Sequence, residues 1–364
     1  MISALKLFVT DCTDPYRNLA VEKLLTRDVR EGECILFLWR NRRTVVIGRN
    51  QNAWEECRVR QLEEDGGHLA RRLSGGGAVY HDLGNLNFTF AVRKEGYDPE
   101  KQSDVICRAV EKLGIAARRT GRNDLEAEGR KFSGSAYYEA RGRCFHHGTV
   151  MMDVDTDALS AYLTVSGSKL RSKGVASVRS RVVNLKELCP EITADRLKAL
   201  IPEAFGEIYG LPVGALEPDR LEEKAVSEEA AVFASDAWLF PPRIPFTAAL
   251  EDRFAWGGIR LELRVRGDRV VQAECVSDAM DESLIRRIRS LLADCPFRGE
   301  ELAGRIAAAA LEEADAAAGQ EVRRRMGRDI ADLILTRLPR RGTAAELSGK
   351  EKGESSDGDR KSVV

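Results

Sequence analysis

None of the eight cysteines in this 364-residue chain stands in a C-x-x-C pair. They lie singly, at Cys12, Cys34, Cys57, Cys107, Cys144, Cys189, Cys275 and Cys295. That spacing fits neither a zinc site nor the disulfide framework of a small secreted domain. Reduced thiols in a cytoplasmic protein are expected instead. No apolar run approaches the ~20 residues needed to span a bilayer. The start, Met1-Ile2-Ser3-Ala4-Leu5-Lys6, lacks the charged and then apolar stretch of a secretory signal and reads straight into a strand. Neither sign of charge dominates. The net charge of −1 argues against a general nucleic-acid binder or a membrane-surface protein. No glycine cluster ends in Gly-Lys-Ser/Thr, so there is no Walker A loop. No internal repeat is present.

What stands out is Arg71-Arg72-Leu73-Ser74-Gly75-Gly76-Gly77-Ala78-Val79-Tyr80-His81-Asp82-Leu83-Gly84-Asn85. Glycine lets backbone approach a ligand closely. Successive N–H groups in such a loop form a concave anion site. Two guanidiniums at its mouth suit phosphate or carboxylate. The bland alternative is a glycine-rich hairpin turn with solvated arginines. Two further clusters shift the balance towards a ligand. One runs from Gly121-Arg122-Asn123-Asp124-Leu125 through Glu128-Gly129-Arg130-Lys131-Phe132-Ser133-Gly134-Ser135-Ala136 to His146-His147-Gly148-Thr149. The other is Ser172-Lys173-Gly174-Val175-Ala176-Ser177-Val178-Arg179-Ser180-Arg181-Val182-Val183-Asn184-Leu185.

Short apolar runs at Cys34–Trp39 and Thr44–Ile47 predict buried strands, and Asn87–Val92 alternates as a strand does. Val105–Leu113 and Leu197–Tyr209 have helical spacing. Strands and helices interleave without a strict βαβ rhythm, which predicts an α+β mixed sheet. Pro241, Pro242 and Pro245 mark a linker. Beyond it Ile259, Leu261, Leu263 and Val265 alternate, and Gly267-Asp268 offers a hairpin turn into a second strand. Val322, Met326, Ile330 and Ile334 form a helical core stripe. Residues 340–364 are polar and predicted to be disordered.

The clusters together resemble lipoate–protein ligase of the bacterial A type, within the biotin/lipoate ligase superfamily. The resemblance runs from about Thr10 to about Leu338 and includes weaker echoes at Asn18-Leu19-Ala20-Val21-Glu22 and Val45–Asn52. It implies a large mixed-sheet catalytic domain over 1–245, a small α/β accessory domain over 249–338, and a polar tail at 339–364. It implies an enzyme that joins free lipoate to ATP, giving lipoyl-AMP, and passes the lipoyl group to a carrier lysine. Lys131 is then the catalytic residue, between the α-phosphate and the lipoate carboxylate. Arg72, Gly77, Ala78, Val79, Tyr80, Asn123 and Asp124 hold ATP with it, and Asp124 faces Mg²⁺. Arg72, Ser74, Gly75 and Gly76 join Lys131 around lipoate. Lys173, Ser177, Arg179 and Arg181, with Lys169 and Arg171, belong to a loop that closes over the adenylate. His81, Asp82, His146 and His147 shape the pocket. Implied partners are the lipoyl domains of 2-oxoacid dehydrogenase E2 subunits and the glycine-cleavage H protein, with the ligase a monomer. The missing Walker A loop suits chemistry at the α-phosphorus. An octanoyl or lipoyl transferase of the same superfamily is the alternative, but it needs a cysteine nucleophile, and Met151-Met152-Asp153-Val154-Asp155 holds none. A non-catalytic binder of carrier domains would tolerate loss of Lys131 and Arg72, and both are present.

Overall fold

The computed structural model describes residues 1–121, 123–164, 181–241, 244–312 and 317–338. The chain divides into two units, Met1–Pro241 and Pro242–Val364. Among the described residues no helix is long and apolar enough to cross a membrane.

The first unit is built on an eight-stranded mixed sheet. Its strands are β1 (Ala4–Val9), β2 (Glu33–Trp39), β6 (Asn85–Arg93), β7 (Ala117–Thr120), β8 (Asp124–Ala127), β9 (Arg130–Ala140), β10 (Arg143–Met151) and β11 (Val213–Ala215). The order is β11-β1-β2-β6-β10-β9-β8-β7. β1 runs parallel to both its neighbours, and the rest of the ladder is antiparallel. A small second sheet, β4-β3-β5, comprises β3 (Thr44–Ile47), β4 (His68–Arg71) and β5 (Val79–His81).

Period-two alternation sorts the side chains of β2 and β6 between two cores. Cys34, Leu36 and Leu38 of β2 join Leu86, Phe88, Phe90 and Val92 of β6 against the helices Pro99–Glu111 and Ala194–Tyr209. Ile35, Phe37 and Trp39 face the other way, towards the helix Pro15–Asp28 and Phe233 of the helix Glu223–Ala234. On that second face β6 places Asn85, Asn87 and Thr89, all buried, before Ala91 joins the apolar core. From Asn85 to Phe90 the strand therefore alternates polar and apolar although neither face is wet. A polar wall inside a closed structure is the first sign of where a ligand belongs, because unpaired polar groups are costly to bury.

Two hairpins set the outer half of the sheet. Glu128 and Gly129 have φ of +50° and +74°, and Arg141 and Gly142 have +52° and +69°. Each is a two-residue turn with both centres at positive φ, the geometry that matches strand twist. The first of these turns delivers Lys131 as the second residue of β9.

The second unit has an antiparallel sheet of β12 (Ala248–Phe254), β13 (Gly257–Arg266) and β14 (Arg269–Ser277). The Gly267-Asp268 turn joins the last two, and Gly267 sits at φ +61°. Helices Glu282–Leu292, Gly299–Glu312 and Ala317–Arg337 follow. Met326, Ile330 and Ile334 of the last helix lie in the core with Leu261, Ile288 and Ile306. Ile330→Ala should therefore cost about 2–5 kcal/mol through the cavity it leaves. Urea denaturation followed by the fluorescence of Trp256, whose Nε1 donates to Asp329 of the same helix at 2.8 Å, reads that loss.

Candidate active site

Strand β4 ends at Arg71, and the glycine loop follows. The sequence places both arginines at the mouth of that loop. The structure corrects this: both are buried and face inward. Arg71, 1% exposed, gives Nη1 to the carbonyls of Gly48, Arg49 and Gln51, Nη2 to Leu239 and Nε to Trp238. Trp238 returns a bond from Nε1 to the Arg71 carbonyl at 2.8 Å. Arg71 is a structural pin. Burial pulls its pKa down to about 10, with Arg49 adding to the effect, and it stays charged at neutral pH.

Arg72 shapes the loop from beneath. Its Nε donates to Ser74 Oγ at 3.0 Å, and its Nη2 donates to the carbonyls of Gly75 at 2.7 Å and Gly77 at 2.8 Å. Burial lowers its pKa too, to about 10. Gly76 takes φ +89°, and its carbonyl lies 2.1 Å from where a Cβ on Gly48 would sit. Only glycine at position 48 lets the loop close so tightly. A Cβ on Gly77 would meet nothing within 4 Å, so the loop's crest is open. Gly77, Ala78 and Val79 are half-buried and Tyr80 is buried. The Tyr80 ring packs in an apolar cluster against Tyr162, 5.6 Å between centroids. What Tyr80 can present to a ligand is therefore its backbone.

Ser74 is the hinge between this loop and the large sheet. Its Oγ lies 2.8 Å from Nε2 of His147 on β10. Nδ1 of His147 lies 2.7 Å from Oε1 of Glu22 on the helix Pro15–Asp28. Glu22 Oε1 also accepts from Thr89 Oγ1 at 2.7 Å, and Trp39 Nε1 donates to Thr89 Oγ1 at 3.2 Å. Glu22 Oε2, His81 Nε2 and Asn87 Nδ2 are buried with no protein partner. A folded protein seldom leaves three such atoms in one region, and they mark polar capacity reserved for something else. Sequence reading did not single out Glu22, Thr89 or Trp39 for this role. The available signal was a glutamate three residues from both Leu19 and Leu25, on the buried face of its helix.

His81 and His146 are buried and neutral. Burial, reinforced by Arg72 and His147, lowers the pKa of His81 to about 3; burial and His147 do the same for His146. His146 sits among Phe88, Phe90 and Tyr137 on the opposite face of β10 from His147. Asp82 accepts from the backbones of Gly84 and Asp155. Among the described residues no group of three or more His, Cys, Asp or Glu side chains could hold a metal ion.

Lys131 is positioned by three devices. A β-bulge makes Glu126 pair with Lys131 while Leu125 pairs with Ser133, leaving Phe132 as the extra residue. Bulges of this kind re-aim side chains next to sites. The Lys131 carbonyl accepts from Val183 N–H at 2.9 Å, just beyond half-buried Arg181. The Lys131 side chain then crosses Gly134. A Cβ there would come within 2.7 Å of Nζ. The ammonium ends 2.6 Å from Asp124 Oδ1, with the two side chains 37% and 40% exposed. Asn123, in the turn before β8, accepts from Ser135 N–H at 2.8 Å through its carbonyl. The structure thus makes two groups, Arg72–Ser74–His147–Glu22 and Asn123–Asp124–Lys131. They are linked through the ladder, where Ala136 of β9 pairs with His147. Lys169, Arg171, Lys173, Ser177 and Arg179 lie outside the described residues.

His81 and His146 give the fold a definite acid response. Their folded pKa values lie below the ordinary 6.5. Between pH 6.5 and about 3 the unfolded chain therefore binds more protons than the folded one, and stability falls as pH falls. Urea midpoints should be flat for these groups above pH 6.5 and decline below it. His146→Asn should make that decline shallower.

Residues 14–206 match the family model of the lipoyl protein ligase A/B catalytic domain, and residues 243–319 match that of the bacterial lipoate protein ligase C-terminus. The crystal structure of P. falciparum LipL1 in complex with lipoate is 25% identical with a TM-score of 0.75, over 90% of this chain and 100% of that one. Lipoate-protein ligase A bound with ATP is 26% identical with a TM-score of 0.56, over 65% and 98%. The bi-partite lipoate protein ligase of Thermoplasma acidophilum, studied with its E2 lipoyl domain, is 28% identical with a TM-score of 0.57, over 66% and 96%. With its catalytic and C-terminal regions both matched, the chain is an enzyme of the lipoate–protein ligase family.

Proposed function

We propose that this enzyme activates free lipoate with ATP and then lipoylates a carrier lysine. A lipoate carboxylate oxygen attacks the α-phosphorus, the bond to the bridging oxygen breaks, and pyrophosphate leaves. The acceptor amine next attacks the carbonyl of lipoyl-AMP, and AMP departs. Lys131 carries the reading, because its ammonium is aimed by a bulge, a backbone bond and the bare Cα of Gly134. An ammonium held between a carboxylate and an α-phosphate lowers their mutual repulsion and keeps the reacting atoms in line. The solved relatives that bind lipoate and ATP support the two substrates.

In this reading Gly75, Gly76 and Ser74 receive the lipoate carboxylate. The open crest at Gly77, Ala78, Val79 and the Tyr80 backbone receives the nucleotide. Arg72 supplies positive potential from below and fixes the loop. Asp124, flanked by Asn123, suits Mg²⁺, which commonly takes one or two carboxylates and completes its shell with phosphates and water. When bound, that ion neutralises charge on the departing pyrophosphate. Lys173, Ser177, Arg179 and Arg181 would cover the adenylate and keep water from it. The acceptors are E2 lipoyl domains, as the Thermoplasma acidophilum pair suggests, and the glycine-cleavage H protein. The enzyme works as a cytoplasmic monomer.

A thiolate transferase finds little support. Cys144, closest in sequence to the histidine pair, lies in the opposite core from His147, and burial pushes its thiol up to about 12. Burial raises the thiols of Cys34, Cys57, Cys107, Cys275 and Cys295 as well.

Two substitutions test the assignment. Lys131→Ala should cut pyrophosphate release with lipoate and MgATP by roughly two to three decades, the scale of a lost charge-stabilising donor, with an unchanged thermal melt. Near wild-type release would refute the role. Gly134→Ala should leave the melt almost untouched, because the atom its methyl meets is the mobile end of a lysine. It should nevertheless slow release by displacing that ammonium.

A further inference from the structure

Trp238, Leu239 and Phe240, the residues that run into the linker prolines, grip the segment from Gly48 to Trp54. Arg71 bridges the carbonyls of Trp238 and Leu239 to those of Gly48, Arg49 and Gln51. Two side chains add contacts of their own. The Arg49 guanidinium carbon lies 4.0 Å from the centre of the Trp238 ring, a close cation–π contact. Phe240 stacks on Trp54, 4.9 Å between centroids at 22°. Phe233 meets the same Trp238 indole at 82°, 5.3 Å between centroids.

The gripped segment in turn holds the glycine loop through backbone. Arg49 N–H donates to the Ser74 carbonyl at 2.9 Å. Gly48 beside it lies too close to the Gly76 carbonyl for any side chain, and its own N–H donates to Gln51 Oε1 at 2.8 Å. Arg49 is thus fastened on both sides of its Cα, by an indole on the side chain and by Ser74 on the N–H. Ser74 is fastened twice as well. Arg72 and His147 meet its hydroxyl from within the domain, and Arg49 meets its carbonyl from the linker side. The crest of the loop is held by other means, through Arg72 at the Gly77 carbonyl and the pairing of β5 with β3. Removing the indole returns rotamer freedom to a long arginine and loosens the Ser74 end first.

We propose that Trp238 is a positioning residue for the Ser74 end of the glycine loop, acting through Arg49. The stretch that runs into the linker is thereby part of the lipoate seat, although Trp238 acts without touching substrate. The inference rests on the glycine loop being the lipoate site.

Steady-state pyrophosphate release by the full chain, with lipoate and MgATP varied in turn, tests it. Trp238→Leu should raise KM for lipoate about tenfold, the scale of a largely desolvated cation–π contact, with kcat and KM for ATP within roughly threefold of wild type. Trp238→Phe keeps an aromatic face for Arg49 and should restore most of that loss. Arg49→Leu should reproduce the lipoate effect. The double variant Trp238→Leu with Arg49→Leu should be no worse than the poorer single one, because two residues acting through one contact do not add. Phe233→Leu separates positioning from packing. It trims the core against the same indole, so it should lower the thermal melt and leave KM for lipoate unchanged. If Trp238→Leu does not fold, Arg49→Leu and its combination with Trp238→Phe carry the same comparison. An unchanged KM for lipoate in Trp238→Leu or Arg49→Leu, additive losses in the double variant, or an equal rise in Phe233→Leu overturns the proposal and leaves the ligase reading standing. Absence of pyrophosphate release from the wild type overturns the reading beneath it, and the proposal with it.

Discussion

Three consecutive glycines cannot hold their own shape. They have more backbone entropy to lose than any other residues and no side chains with which to recover it. The site depends on the buried Arg72 guanidinium, which gathers the carbonyls of Gly75 and Gly77 and the hydroxyl of Ser74. A cation can sit there because those carbonyl dipoles solvate it and Glu22 supplies a nearby negative charge. Arg71 does the same work one residue earlier, tying the end of β4 to the carbonyls of Trp238 and Leu239. Two adjacent arginines thus build the floor and wall of one loop, each through backbone acceptors.

The large sheet supplies the opposite wall by a compromise in β6. Its apolar set, Leu86, Phe88, Phe90 and Val92, packs on two helices. Its polar set, Asn85, Asn87 and Thr89, is equally buried. Thr89 is compensated by Glu22, and Asn85 Nδ2 donates to Asn87 Oδ1 at 2.8 Å. Asn87 Nδ2 has no protein partner. A sheet packed on both faces can keep such a row only where another polar surface meets it. Here that surface comprises the glycine loop, His81 and Glu22.

Local features of the fold were legible in the sequence. Buried strands at Cys34–Trp39 and Thr44–Ile47, the Gly267-Asp268 turn and the Met326–Ile330–Ile334 stripe all rest on short-range periodicity or turn chemistry, and the structure contains each of them. The glycine loop, the hairpin lysine and the histidine pair were legible as motifs. The inward turn of Arg71 and Arg72 was not, because a charge read locally is taken as solvated, and its carbonyl partners lie as far away as Leu239. Glu22 was invisible as a site residue for a similar reason. It meets His147 across 125 positions, and no local pattern encodes that meeting. Gly134 stood in the motif, but its function as a lane for the Lys131 side chain appears only once the bulge at Phe132 is seen.

The stretch 165–180 leaves and rejoins the described structure at fastened points. Before it, Leu163 bridges to Cys57, and Thr164 N–H donates to the Glu56 carbonyl at 2.9 Å. After it, Val182 bridges to Lys131, and Val183 N–H donates to the Lys131 carbonyl. The two gateposts are anchored to different parts of the domain, Leu163 and Thr164 at Cys57 and Glu56, Val182 and Val183 at Lys131. The backbone seat of Lys131 is therefore held by Val182 and Val183, neighbours some fifty positions along the chain and on no strand of the large sheet.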